Sequence, residues 1–503
     1  MPGTYDETVL LTNHEVTIGS QFLFTGDTAY IETTIWRPSE QSMDTACCLL
    51  VREIFSTVSR VAGVTFQNGR GAVVPGLDGP AGGAIYVDRS NLELYNCVII
   101  GSSATYGGGI AAFGGNFWTP YGHLRVNNSL VQECESEGWG GALYANTCSL
   151  TVENSRFANN SALADGGGII ALDCVTEIYE TSIANCTGVT GGIHVAGKRS
   201  VIENCTFLDN ISILPYYWAS HFSHGQGNHS VRGSYFGASA SLSRGFNFCC
   251  TGDTIFFVGN VVENLVATAP FGTGNFAISG VHGEMSYNII RNNRTRGEQV
   301  FPLGGTTVNI HHNYFTGNVS DFPDRPSVLK IGQNPNQTFH HNFISGNSGQ
   351  TIGYTTDPGL IDARNNWWGH ESGPYHPTRN PFGQGDTILS DSVLFEPWLL
   401  TPPDTSTFVS SPRPETPVNW KLLNVYPNPF NSELTISLAG IMGNGFSLKL
   451  YDTLGREVAT LHEGRGHGQM IHYSAPPQLA TGVYFLQATE GHAREVKKVV
   501  FLK

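Results

Sequence analysis

The chain has 503 residues, of which 40% are hydrophobic and 14% charged, and a formal net charge of −14. No apolar run approaches the roughly 18 residues of a membrane-spanning helix, and so acidic a surface disfavours nucleic acid and anionic lipid, which need basic clusters. It also suits tight binding of a polyuronate poorly, unless Ca²⁺ bridges the charges.

At the start, Met1-Pro2-Gly3-Thr4-Tyr5-Asp6-Glu7 offers neither the basic nor the apolar region of an export signal. Strand-like alternation begins almost at once, at Val9 and Leu11, so the chain is expected to open inside a structural repeat, as a mature form, a fragment or a misplaced start would. From Phe66 to Trp368 one short phrase recurs twelve times: a small polar residue, any residue, a large apolar residue, then often Asn three positions on. The apolar markers are Phe66, Ile99, Val131, Phe157, Ile183, Phe207, Phe236, Val262, Ile290, Phe315, Ile344 and Trp368, with gaps of 24 to 33 residues and a mean near 27. A period of that size predicts a solenoid, whose units bury their apolar faces only against their neighbours. Around Phe157 the unit reads Gly140-Gly141-Ala142-Leu143-Tyr144, Ser149-Leu150-Thr151-Val152, Asn154-Ser155-Arg156-Phe157 and Asn159-Asn160-Ser161. These are short period-2 bursts separated by turn residues, with no helical window. Three strands per coil, stacked on the next coil, predict an all-β parallel β-helix of about twelve or more coils, on the order of 55–60 Å long at roughly 4.8 Å per coil.

Two before the markers from Ile99 to Trp368 stand Cys97, Ser129, Ser155, Thr181, Cys205 and Ser234, then only Asn: Asn260, Asn288, Asn313, Asn342 and Asn366. A position both polar and uniform predicts an inward ladder, each amide bonding its equivalent one coil away. Asn160, Asn210, Asn293, Asn318 and Asn347 share a second phase, three after the marker. Gly pairs and triplets at Gly82-Gly83, Gly107-Gly108-Gly109, Gly140-Gly141, Gly166-Gly167-Gly168 and Gly191-Gly192 mark tight corners rather than phosphate loops, because no helix follows them. All ten Cys precede Thr251; Cys148 and Cys174 both lie nine before their markers and should stack at a distance open to a disulfide or a reduced pair.

Asn365-Asn366-Trp367-Trp368-Gly369, Ser372-Gly373-Pro374 and Phe395-Glu396-Pro397-Trp398 close the repeat region. Together with the ladder, they make residues 1–398 resemble the right-handed parallel β-helix, pectate-lyase-like superfamily. That resemblance implies a right-handed solenoid; its members include lyases, hydrolases, adhesins and proteins without known activity, so it selects no chemistry.

Residues 399–419 are rich in Pro, Ser and Thr, a stiff extended linker. In residues 420–503 the period is gone. Alternating segments Leu434–Leu438, Ser447–Tyr451, Glu457–Leu461, Met470–Tyr473, Gly482–Ala488 and Glu495–Leu502 predict a small antiparallel β-sandwich. From Asn419 onward eight Lys/Arg and six Asp/Glu give a net +2, leaving −16 on the residues before it. Val425-Tyr426-Pro427-Asn428-Pro429-Phe430, Leu450-Tyr451-Asp452-Thr453-Leu454-Gly455-Arg456, Gly482-Val483-Tyr484-Phe485 and the closing strand with Lys497 and Lys498 resemble, in order, the C-terminal sorting domain of type IX secretion. The resemblance implies Gram-negative export through that machinery, with release or attachment at the cell surface.

No catalytic or metal set stands out in phase. Glu153 and Glu203 both sit four before their markers, two coils apart, with Tyr179 between them; a hydrolase would need two such carboxylates about 5–9.5 Å apart. Asp165 and Asp209 read as turn residues. His311-His312-Asn313 and His340-His341-Asn342 coincide in phase with no carboxylate in phase beside them, which favours packing over a metal. Tyr216, Tyr217 and Trp218 with His221, His224, His229 and Arg232 suit sugar stacking, and Phe117, Trp118 and Tyr121 would extend that platform. The expectation is a non-catalytic glycan-binding or adhesin-like rod without a cofactor. The alternative is a secreted polysaccharide lyase or glycoside hydrolase, and only there is Ca²⁺ implied.

Overall fold

The computed structural model describes residues 2–503 apart from 13, 40–44, 55–56, 116–121, 214–220, 226, 238–239, 242–247, 252, 268–275, 280–281, 296–301, 305–306, 323–325, 332–337, 355–359, 404–419, 443–445, 454–455, 465, 477 and 491–492. The repeats form a parallel β-solenoid. The marker strand recurs in a thirteen-stranded sheet running from Gly3–Asp6 to Phe343–Ser345, with each neighbour one coil along the chain. A second sheet of thirteen strands runs from Val9–Thr12 to Ile352–Tyr354, and a third of twelve from Thr17–Gly19 to Phe339–His340. Register pairs marker with marker: Phe66 with Ile99, Ile99 with Val131, and so on to Phe315 with Ile344. Tyr5 and Trp36 occupy the same column upstream, so the stacking starts two coils before the sequence count does. Every marker from Phe66 to Trp368 is at most 2% exposed.

Left-handed backbone turns the corner on each side of the marker strand. Three before the marker, every residue from Gly63 through Asn96, Asn128, Asn154 and Tyr287 to Asn365 has φ between 45° and 67°. Two after it, Asn68, Gly101, Asn159, Asp209, Asn292 and Gly346 adopt the same region. Asn, Asp and Gly tolerate it best, which explains their abundance beside the ladders. The second glycines of the pairs answer to crowding instead: a Cβ on Gly83 would lie 1.8 Å from the Gly108 carbonyl oxygen of the next coil.

The first ladder is formed as the phase requires. Asn288 Nδ2 and its backbone N–H both donate to Asn313 Oδ1, at 2.8 and 3.1 Å, while Nδ2 also reaches back to the Phe257 carbonyl at 2.8 Å. Asn260, Asn313 and Asn342 repeat this pattern, and Asn366 ends it by accepting from Asn342. Ser129 and Ser155 do the acceptor half, their hydroxyls receiving the backbone N–H of Cys97 and Ser129. The second ladder runs Asn293, Asn318, Asn347 and finishes on a carboxylate: Asp386 accepts Gly346 N–H at 2.7 Å, Asn347 N–H at 3.0 Å and Asn347 Nδ2 at 2.7 Å. Burial raises the Asp386 carboxyl above its ordinary range and these donors pull it back.

Two expectations need amendment. Coils carry a fourth short strand in places, in a sheet from Ser103–Tyr106 to Ile211–Ser212 and another from Ala240–Ser241 to Val319–Ser320, because the chain leaves the second ladder extended and meets the carbonyl one coil back. Short helices Phe22–Thr25 and Ala29–Thr33 join the third sheet to the marker sheet; four and five residues are too few to register as a period. Cys148 and Cys174 do stack, with Sγ atoms 3.8 Å apart, as free buried thiols.

After Ile352–Tyr354 the chain covers the last coil with strand pairs Ile361–Asp362/Val393–Leu394 and Pro374–Tyr375/Gly385–Thr387, so the open sheet edge is not left as a template for association. The C-terminal unit has its own core, including Phe430, Leu434, Ile436, Leu448, Leu486 and Phe501. Its seven strands split into a sheet of Trp420–Tyr426, Glu433–Met442 and Gly466–Ser474, and a sheet of Glu457–Glu463, Phe446–Asp452, Gly482–Glu490 and Ala493–Phe501. The first strand, Trp420–Tyr426, adds to the six segments read from the sequence.

Candidate functional site

The outer face of the third sheet carries the polar side chains that alternate with core residues along each strand. Its early coils form an ion-pair ladder. Arg60 Nε lies 2.6 Å from Glu93, Arg125 bridges Glu93 at 3.4 Å and Glu153 at 2.7 Å, and Asn127 Nδ2 donates to Glu153 at 2.8 Å. Glu153, Tyr179 and Glu203 are consecutive register neighbours, as their phase predicts. Glu153 is thereby committed to two partners.

Further along, the face hollows into a depression of about 360 Å³ lined by Tyr179, Arg199, Glu203, Asn228, Arg232 and Phe256, among others. Arg232 is exposed; its Nε donates to Ser230 Oγ at 2.9 Å and its guanidinium sits 5.7 Å from the Phe256 ring centroid. Phe256 is 38% exposed, an aromatic face open to solvent. Arg199 lies 3.6 Å from Glu177. Sequence reasoning singled out Arg232 but missed Tyr179 as a lining ring, and Phe256 altogether. The signal was available, because Phe256 breaks the inside–outside alternation of Thr254–Val258 by placing an aromatic residue on the wet face.

The other proposed contacts fare differently. His221 is fully buried between the rings of Phe207 and Phe236, its Nδ1 3.1 Å from Asn210 Nδ2, and burial pushes its pKa down to about 3. It stands in the inward column of Gly168 and Gly192 and cannot meet a ligand on the surface. His229 is also buried, with Nδ1 3.0 Å from Ser200 Oγ. His224 lies in the strand Phe222–His224. Tyr216, Tyr217, Trp218, Phe117, Trp118 and Tyr121 lie outside the described residues. Asp165 is more than a turn residue: it accepts the Thr190 N–H at 3.0 Å and faces buried His194 Nδ1 at 3.3 Å. A smaller groove of about 260 Å³ follows the left-handed corner over Asn96, Asn128 and Asn154, where Asn128 Nδ2 donates to Asn96 Oδ1 at 2.7 Å.

His311 and His340 are register neighbours, and the rings of His312 and His341 stack at 5.5 Å. Carboxylates reach them diagonally across the sheet rather than in phase: Glu284 lies 3.5 Å from His311 Nε2 and Asp362 3.0 Å from His340 Nε2. Among the described residues no three His, Cys, Asp or Glu side chains are already gathered round one point, so the cage of carboxylates that Ca²⁺ would need is not assembled there.

In the C-terminal unit the proline-bearing motif is a clamp on the last strand. Asn428 Nδ2 donates to the Lys498 carbonyl at 3.0 Å and its Oδ1 accepts the Val500 N–H at 2.9 Å. Phe430 N–H donates to the Val500 carbonyl at 2.9 Å, Leu502 N–H returns a bond to Phe430 at 2.8 Å, and the Phe430 ring packs 5.0 Å from that of Phe501. Pro427 and Pro429 are exposed on this turn, Tyr426 ends the strand before it, and Lys497 lies in the clamped strand with exposed Lys498. Gly455 lies outside the described residues; Asp452 accepts the Arg456 N–H at 3.0 Å and Nε at 2.7 Å.

No helix among the described residues is long and apolar enough to cross a membrane. No curated protein and no solved structure matches this chain. Residues 424–502 match the family model described as the secretion system C-terminal sorting domain, so the solenoid carries a type IX sorting tail and is a secreted or cell-surface protein.

Proposed function

We propose that the solenoid is an exported, non-catalytic rod that binds an extended glycan along its third sheet. The observation that carries this reading is the depression in which the rings of Tyr179 and Phe256 alternate with Arg199, Glu203, Asn228 and Arg232. Sugar rings stack on aromatic faces while their hydroxyls take hydrogen bonds from a few placed polar groups. A straight sheet face repeats that opportunity along the rod. Binding is favoured over hydrolysis because Glu153, half of the carboxylate pair on this face, is held by Arg125 and Asn127.

A glycan panel assayed both for binding and for released unsaturated or reducing ends tests the reading. The expected result is binding without turnover, weakened at least about tenfold when Phe256→Ala and Tyr179→Ala are combined, the scale of one or two lost ring contacts. Turnover of any polymer would install the lyase or hydrolase reading instead, and binding indifferent to both substitutions would remove this face from consideration.

A further inference from the structure

We propose that the paired imidazoles of His311 and His312 form a two-nitrogen site for a divalent transition metal. The site is independent of the glycan reading and lies farther along the rod.

Two vicinal imidazoles on a strand normally point to opposite sides. Here the left-handed corner at His312 (φ 53°) turns the second ring back towards the first, and the two Nδ1 atoms come to 2.9 Å. Glu284 lies 3.5 Å from His311 Nε2 and itself accepts a hydrogen bond from Ser286 Oγ. A carboxylate on the Nε2 side of the ring favours the tautomer protonated there and leaves Nδ1 as the lone-pair donor, as carboxylates do beside metal-bound histidines. His311 Nδ1 is thus presented as a donor towards His312.

The separation fits a chelate. Two imidazole nitrogens, each about 2.0–2.1 Å from one metal ion at a right angle, stand about 2.9 Å apart. The ion would replace the hydrogen bond now joining the two rings: His312 would carry its proton on Nε2 instead of Nδ1, and a modest turn of each ring would bring both Nδ1 lone pairs onto the metal. The ring of His312 is itself flanked by Tyr287 at 5.3 Å and by exposed His341, stacked at 13° and 5.5 Å, whose nitrogens lie in a parallel plane and leave the pair to bind alone. His340 is occupied elsewhere, 3.0 Å from Asp362, which Arg364 also grips. Imidazole donors without thiolates or a carboxylate cage select Cu²⁺, Ni²⁺ or Zn²⁺ over Ca²⁺ and Mg²⁺.

The experiment titrates Cu²⁺ into the full chain at pH 7.5, with calorimetry and electron paramagnetic resonance as readouts. The tightest site should take one Cu²⁺ per chain and show coupling to at least two nitrogens. His311→Gln and His312→Asn should each remove that site, Asn being well tolerated in the left-handed backbone at 312. Glu284→Gln should weaken it about 10–100-fold as a supporting carboxylate, and His340→Asn should leave it unchanged. Far-ultraviolet circular dichroism confirms that each variant keeps its fold. Absence of a site with two coupled nitrogens in the parent chain, or binding by a folded His312→Asn chain as tight as the parent's, overturns the proposal.

Discussion

Removing one rung of the first ladder is the most direct test of the forces holding the rod. Asn313 Oδ1 accepts the Asn288 backbone N–H at 3.1 Å, and its Nδ2 donates to the Met285 carbonyl at 2.8 Å and to Asn342 Oδ1 at 3.1 Å. Asn313→Ala orphans the Asn288 N–H and the Met285 carbonyl in a dry interior. Each unpaired group costs about 1–3 kcal/mol, so the loss should be about 2–6 kcal/mol. Asn313→Ser should cost less, because a serine hydroxyl already accepts the preceding backbone N–H at Ser129 and Ser155. Urea unfolding measures the total, and amide exchange resolved to the Asn288 N–H locates it, since solenoid coils open locally as well as globally. The exposed Glu135→Ala sets the baseline of about 0.5 kcal/mol. If Asn313→Ala shifts stability no more than that control and leaves the Asn288 amide equally protected, the ladder is ornamental and the reasoning fails.

Further outcomes follow from single groups. His221 titrates near 3 when folded against an ordinary 6.5, so the unfolded chain takes up a proton that the fold refuses. Stability should therefore fall as pH drops from 6.5 towards 3, by up to about 1.4 kcal/mol per unit, and this part of the urea-midpoint slope should vanish in His221→Gln. Asp386→Ala leaves the Gly346 and Asn347 donors unpaired, which should cost about 2–5 kcal/mol and start proteolysis in the last coil; Asp386→Asn keeps one oxygen for Asn347 but turns an amide nitrogen on the Gly346 N–H, and should recover only part of that loss. In the tail, Phe430→Ala should cost about 3–5 kcal/mol and Asn428→Ala about 1–2 kcal/mol, measured by thermal melting, with a matching fall in the secreted fraction of cells that export the chain.

The solenoid was legible because a coil's phase constrains every residue in it: Asn260 to Asn366 declare a column without any coordinates. The same logic, followed further, would have placed His221 inside. It lies fifteen before its marker, as do Gly168, Gly192 and Ala142, and that column faces the core. The neighbouring Tyr216-Tyr217-Trp218 drew attention to composition where phase was the better guide. Asp386 was beyond reach for the opposite reason, since it ends the Asn347 ladder from a closing segment that has left the 27-residue rhythm. Glu284 and Asp362 escaped because they meet the histidines diagonally, and a search confined to equal phase sees only vertical neighbours. In the tail the motif was legible as wording, whereas its work as a clamp on Lys498 and Val500 joins residues some seventy positions apart.

Because each rung accepts from the coil before it and donates to the coil after it, length in this molecule is an adjustable quantity. Excising residues 156–181 would splice Ser155 to Ser182, put one hydroxyl where another had been, and leave both halves in step. The product would be shorter by roughly 4.8 Å, and its one altered rung would be in the second ladder, where Cys186 would replace Asn160 beside the Cys134 N–H. How far such a rod reaches can thus change by whole increments, through gain or loss of a stretch of gene, while the folding problem solved by each increment stays much as it was.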